Sequence, residues 1–224
     1  MKRTLATLGF LAGLTTTAFA QTDIGVTGDV GTTGIGARAT IPITPNLNAR
    51  LGLGYLGYSY SGRTHDMSYD LDLKANTYDA LLDWYPRKDS TFRLTGGLAY
   101  NGNKIDVHAR PSASGTYSLQ GNTYEAASVG NVTGKVGFNK VAPYLGVGWG
   151  RPKRDEKGWS VSTDIGVLFQ GSPKTSLNNT GCTAEAAVCN QFAADVAREN
   201  AALSDEMRKF KVYPVLRVGL SYKF

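Results

Sequence analysis

From Val212 to Phe224 the chain alternates in chemistry residue by residue. Phe224, Tyr222, Leu220, Val218, Leu216, Pro214 and Val212 hold one parity, and Lys223, Ser221, Gly219, Arg217, Val215 and Tyr213 hold the other. A period of two puts successive side chains on opposite faces of a strand, so one face is greasy and the other carries two cations. In a membrane-spanning β-barrel the greasy face meets hydrocarbon, aromatics mark the interface, and the polar face looks into the lumen. The competing reading is the edge strand of a soluble sheet. Recurrence of the same pattern along the chain favours the barrel.

Ile24 to Val30 is a short first strand, followed by a tight Gly31-Thr-Thr-Gly34. Ile35, Ala37, Ala39, Ile41 and Ile43 then alternate with Gly36, Arg38 and Thr40, and Pro42, Pro45 and Asn46 supply a turn. Ala49, Leu51, Leu53 and Tyr55 oppose Arg50, Gly52 and Gly54, with Tyr58 and Tyr60 beyond and a loop at 62–66. A long strand over Tyr69 to Tyr85 changes its apolar parity: Leu71 and Leu73 are odd, whereas Tyr78, Ala80, Leu82 and Trp84 are even. That change predicts a bulge, or a departure from the bilayer, near Ala75 to Thr77. Trp84 and Tyr85 read as an interfacial aromatic pair before the short turn at 87–90.

Phe92, Leu94, Leu98 and Tyr100 face outward, against Arg93, Thr95, Gly97 and Ala99. A polar excursion over about 101–140 contains a hairpin from Tyr117 to Tyr124, turning at Gly121-Asn122. Pro143, Leu145, Val147 and Trp149 mark the next strand, a basic turn spans 150–158, and Trp159, Val161, Ile165, Val167 and Phe169 climb opposite Ser160, Ser162, Asp164 and Gln170. A second excursion covers about 171–211, ahead of the closing strand. The expectation is an all-β, eight-stranded antiparallel up-and-down transmembrane barrel, with short periplasmic turns and long extracellular excursions. The 27 glycines and 12 tyrosines suit crowded strands with aromatic girdles.

Eight strands enclose a lumen just wide enough for their own side chains. The inward parity carries Arg38, Arg50, Asp79, Asp83, Arg93, Asp164, Arg217 and Lys223. Counted from the short-turn ends, they form a low tier of Arg50, Asp83, Arg93 and Lys223 and a high tier of Arg38, Asp79, Asp164 and Arg217. Unpaired charges there would be destabilising, so cross-strand Arg–Asp bridges are expected in each tier. The plainer reading is that these pairs close the barrel. The sharper one is a narrow path for small cationic solutes, with Asp79, Asp83 and Asp164 as the attracting groups.

Over 184–210, Val188, Phe192, Val196, Leu203, Met207 and Phe210 approximate one helical stripe, which predicts an amphipathic helix before the last strand. It could cap the barrel mouth, lie on the outer leaflet or pack on the other long loop, and the cap is preferred. Cys182 and Cys189 are close in sequence, and no second pair or nearby His completes a zinc set, so a local disulfide is expected and no metal site.

Residues 1–20 read as a secretory signal: a basic start at Lys2 and Arg3, a short apolar run, and Ala18-Phe19-Ala20 before the mature chain, 21–224. Its removal lowers the formal charge from +6 to about +4. Tyr222 and the terminal Phe224 look like the signal that the bacterial outer-membrane assembly machinery recognises. The only histidines are His65 and His108, and neither sits in a nucleophile motif. No phosphate loop, nucleotide fingerprint or metal-ligand spacing appears, so neither catalysis nor a cofactor is expected. Basic turns near anionic lipid head groups explain the charge better than nucleic acid does.

With the strands placed, Val30-Gly-Thr-Thr-Gly34, Tyr69-Asp-Leu-Asp72, Ala142-Pro-Tyr-Leu-Gly146 and Gly171-Ser-Pro-Lys174 before a helical insertion resemble, in the same order, the family of small outer-membrane barrels typified by the carbapenem-susceptibility-associated protein (CarO-like). That resemblance implies an eight-stranded barrel of the Gram-negative outer membrane, with slow uptake of basic amino acids such as ornithine and of some carbapenems. The chain departs from the family type in ending on Phe224 and in carrying the Cys182–Cys189 pair. The expected function is a monomeric, narrow, channel-like protein for small solutes, cationic ones in the sharper reading, in contact with outer-membrane lipid and lipopolysaccharide. The alternatives are a closed structural or surface-interaction barrel and an OmpW-like carrier of small hydrophobic molecules.

Overall fold

The structure, a computed structural model, describes residues 24–63, 68–87, 90–150 and 157–224. The expected signal at 1–20, His65 and parts of the turns at 87–90 and 150–158 lie outside the described residues. In chain order the elements are β1 (Gly25–Gly31), β2 (Gly34–Thr44), β3 (Leu47–Arg63), β4 (Ser68–Trp84), β5 (Phe92–Asn101), β6 (Lys104–Arg110), β7 (Thr116–Leu119), β8 (Asn122–Glu125), α1 (Ala126–Val129), β9 (Asn131–Gly137), β10 (Val141–Trp149), β11 (Gly158–Phe169), β12 (Lys174–Thr180), α2 (Ala186–Met207) and β13 (Val212–Lys223).

Antiparallel pairing runs β1-β2-β3-β4-β5-β10-β11-β13 and returns from β13 to β1, closing a ring of eight strands. Closure gives each of the eight strands a hydrogen-bonding neighbour on both sides, as a hydrocarbon surround demands. Leu51, Leu53, Leu98, Leu145, Val161, Leu216 and Leu220 all point outward and stay about half exposed, a belt too large for a protein facing water. Along β13 the apolar parity runs from Val212 to Tyr222. About ten steps of roughly 3.4 Å, tilted by about 40°, give a belt some 26 Å tall, enough to cross a bilayer core. Aromatic rings mark its short-turn rim. Tyr222 packs on Trp159 at 5.0 Å and on Phe224 at 5.1 Å, and Phe92 on Trp149 at 5.6 Å. At the other rim Tyr78 meets Tyr100 at 6.1 Å, with the Lys140 ammonium 5.8 Å from the Tyr100 ring.

The parity change in β4 has a simple origin. β3 and β4 stay in one unbroken register from Leu47↔Trp84 to Arg63↔Ser68, so there is no bulge. What changes is the other neighbour, because β4 pairs with β5 over Thr77–Trp84 and with β6 over Ser68–Lys74. The strand leaves the ring near Ala75, and its inward face passes from a polar lumen to an apolar interior. Beyond the ring, β3, β4, β6, β9 and β12 form one continuous sheet with α2 packed against β12 and the β7–β8 hairpin. The two excursions expected to be loops therefore fold together into a cap with its own core of Tyr117, Leu119, Tyr124, Val129, Val132, Phe192 and Val196.

Three local expectations need correction. The β7–β8 turn is Gln120-Gly121, both at positive φ (52° and 81°), one residue earlier than Gly121-Asn122; a two-residue hairpin of this hand requires φ above zero at both centres. Tyr85 does not join Trp84 at the interface: it continues the inward parity of β4 and is 1 % exposed, its backbone tied to Asn46. Phe210 lies beyond α2 and is exposed, and Val188 faces solvent, so the packed stripe is shorter than the sequence suggested.

Candidate functional site: the lumen

Arg38, Arg50, Asp79, Asp83, Arg93, Asp164, Arg217 and Lys223 all point into the barrel and are each at most 5 % exposed. The first seven join two ion-pair clusters. In the upper one Arg38 bridges Asp29 and Asp79, the latter at 3.1 Å, and Arg217 reaches Asp79 at 3.2 Å and the Thr33 hydroxyl at 3.1 Å. In the lower one Arg50 donates two hydrogen bonds to Asp164, at 2.8 and 2.9 Å, and lies 3.1 Å from Asp83. Arg93 donates to Asp164 at 2.9 Å, lies 3.7 Å from Asp83, and donates to the Gly150 and Thr163 carbonyls at 2.6 and 3.2 Å. Thr95 donates to Asp83 at 2.7 Å. Lys223 is buried at the short-turn end of β13.

The placement of Asp164 differs from the sequence expectation. Its position along β11 put it in the high tier, yet its partners Arg50 and Arg93 belong to the low one. Barrel strands are tilted and staggered, so equal residue counts from the turns do not mean equal heights, and arginine reaches across the difference. Asp29 was missed altogether. Its signal is the odd parity of Thr27 and Asp29 against Val26, Gly28 and Val30 in the weak first strand. With Asp29 included, Arg38, Arg50, Arg93 and Arg217 face Asp29, Asp79, Asp83 and Asp164, and the two clusters together carry no net charge.

Glycines make the crossings possible. Arg38, Gly52 and Asp79 are neighbours on three consecutive strands, as are Arg93, Gly148 and Asp164. A Cβ on Gly52 would lie 2.5 Å from both Arg38 Cγ and Asp79 Oδ1. The missing side chain is the channel through which the guanidinium reaches its carboxylate.

Beside the charged clusters lies a layer that sequence parity showed residue by residue but not as a unit. Leu81, Ala99, Ala142, Tyr144, Leu168 and Val215 pack into a small apolar cluster inside the ring. The Tyr144 ring sits 5.7 Å from the Arg217 guanidinium and lies so close to Gly166 that a Cβ there would meet its hydroxyl at 2.3 Å. At the short-turn end a cavity of about 20 Å³, lined by Arg50, Asp83, Tyr85 and Arg93 among others, has room for about one water. The lumen is thus filled by its own side chains. Several network atoms, including Asp29 Oδ1, Asp79 Oδ1 and Arg217 Nη1, are buried without a protein hydrogen-bond partner among the described residues.

Outside the lumen, Cys182 and Cys189 form a disulfide across the entry to α2. His108 is exposed on β6, opposite Asp70 and Thr133. In the cap, Asp195 is fully buried and accepts hydrogen bonds from the Tyr124 hydroxyl and from Asn122 at 2.8 Å, and these hold its carboxyl below the ordinary carboxylate range.

Two solved structures share this fold. The crystal structure of Acinetobacter baumannii CarO2 aligns with a TM-score of 0.56 at 23 % identity, covering 91 % of this chain and 99 % of its own. That of Acinetobacter baumannii CarO aligns with a TM-score of 0.53 at 24 % identity, covering 90 % and 98 %. No protein-family model and no curated protein matches the sequence.

Proposed function

We propose that this chain is a monomeric barrel of the Gram-negative outer membrane, channel-like but closed at rest, which passes small solutes only when its arginine–aspartate clusters rearrange. The observation that carries this reading is the lumen itself, filled by four arginines paired with four aspartates. A permanently open pore needs a wider ring, since eight strands leave room for little besides side chains. Unpartnered lone pairs and N–H groups within the clusters give the pairs alternatives to exchange into. The exposed belt and its aromatic rims face lipid and lipopolysaccharide, and the end of β13 with the Phe224 that follows it is the segment offered to the assembly machinery.

Because the resting clusters are neutral, they exert no standing attraction on cations. Basic amino acids, the cargo that the family resemblance supplies, meet Asp79, Asp83 and Asp164 only once an arginine has swung aside. Single-channel recording in planar bilayers tests this. The parent should show rare, brief, small openings, and Arg93→Ala should open more often with a preference for cations, since the carboxylates are then in excess. Heat-dependent gel mobility checks that the variant barrel is folded. Silence from both proteins would favour the closed structural barrel, and a large steady conductance from the parent would sink the proposal.

A further inference from the structure

Above the ring the inward face of β4 is apolar, and β6, β9 and β12 extend that face with Ile105, Val107, Val136 and Leu177. α2 covers it unevenly. Its first half fills the space with Phe192 and Val196, which are 0 % and 3 % exposed. In its second half Leu203 and Met207 stand over the sheet without closing on it, and a cavity of about 550 Å³ remains between helix and strands. That volume falls in the range of pockets that hold small organic ligands. Its wall is apolar on the strand side, and among the described residues the charged groups that line it are Glu199 and Glu206, both on α2 and both acidic. Glu199 is held in place by the Gln120 side-chain amide at 3.0 Å. A half-open apolar groove with carboxylates along its outer edge selects for charge as well as for grease. Anionic amphiphiles are repelled, and a neutral hydrocarbon leaves the carboxylates unanswered.

The geometry points to a binding site in the cap for a small hydrophobic amine, its apolar body against Val107 and Leu177 and its ammonium toward Glu199 and Glu206. The site is separate from the lumen and stands or falls independently of channel activity. The test is calorimetric titration of the refolded chain, held in amphipol, with 3-phenylpropylamine and with 3-phenylpropanoate. The amine should bind at one site per chain and the carboxylate at least tenfold more weakly. Val107→Trp, which pushes a larger ring into the space the amine's apolar body would take, should weaken binding at least tenfold. Glu199→Gln with Glu206→Gln, which leaves the apolar wall intact, should weaken the amine roughly tenfold, the scale of one charge-assisted hydrogen bond. Equal affinity for amine and carboxylate, amine binding unchanged in Val107→Trp or in the double glutamine variant, or no binding by the parent would each overturn the proposal.

Discussion

Asp164→Asn is the sharpest perturbation of the lumen. The carboxylate accepts contacts of 2.8 and 2.9 Å from Arg50 and of 2.9 Å from Arg93, and all three side chains are at most 5 % exposed. Asparagine keeps the shape but removes the charge, so Arg50 and Arg93 are left to share Asp83, at 3.1 and 3.7 Å. Removing one partner of a buried, hydrogen-bonded ion pair destabilises by about 3–5 kcal/mol, mostly through the charge left uncompensated. The loss should appear in urea unfolding from lipid vesicles, followed by fluorescence of Trp84, Trp149 and Trp159 on the outer face. Adding Arg50→Met restores neutrality and should recover about 1–2 kcal/mol, a sign that charge balance dominates over the lost hydrogen bonds. Asp205→Asn, which breaks an exposed pair with Arg208 at 3.4 Å, serves as the control and should change stability by less than about 1 kcal/mol. If Asp164→Asn lies within about 1 kcal/mol of the parent, or if adding Arg50→Met deepens the loss, the account of the lumen as a balanced plug is wrong.

Phe192→Ala removes the ring that packs at 4.8 Å on Tyr124 and 6.3 Å on Tyr117; it should destabilise the cap by about 3–5 kcal/mol while the ring of eight strands keeps its heat-dependent gel mobility. Reduction of Cys182–Cys189, whose partners are 7 residues apart, should loosen the start of α2 by about 2–3 kcal/mol, read as faster amide exchange over residues 186–192 and not in β13. Asp195, held below its ordinary value of 3.8, stabilises the cap fully above that value and loses its contribution as pH falls through its lower folded-state value. Amide protection in α2 should therefore drop on acidification below about pH 4, and Asp195→Asn should flatten that dependence.

The ring was legible because its outward residues alternate against hydrocarbon, and that pattern survives in Val212–Phe224 and Trp159–Phe169 with hardly a break. Inward parity likewise identified Arg38, Arg50, Arg93 and Arg217. What parity cannot supply is height. The stagger of tilted strands decided that Asp164 answers Arg50 and Arg93, and only the register reveals Gly52 between Arg38 and Asp79. The cap was harder to read for a different reason. Its strands obey the ordinary rule of a water-soluble sheet, apolar inside, while the ring beneath obeys the opposite one. Leu71 and Leu73 therefore looked like a fault in one strand when they mark the boundary between two solvents.

That boundary lies within β3 and β4, which cross it in unbroken register. A swinging lid requires a joint, some place where the ladder parts and a few residues absorb the turn. Two strands that stay paired from the short-turn end to the top of the cap offer none on that side. Movement of the roof must travel as twist along these strands, and it arrives at Asp79 and Asp83, two of the four carboxylates that hold the lumen shut.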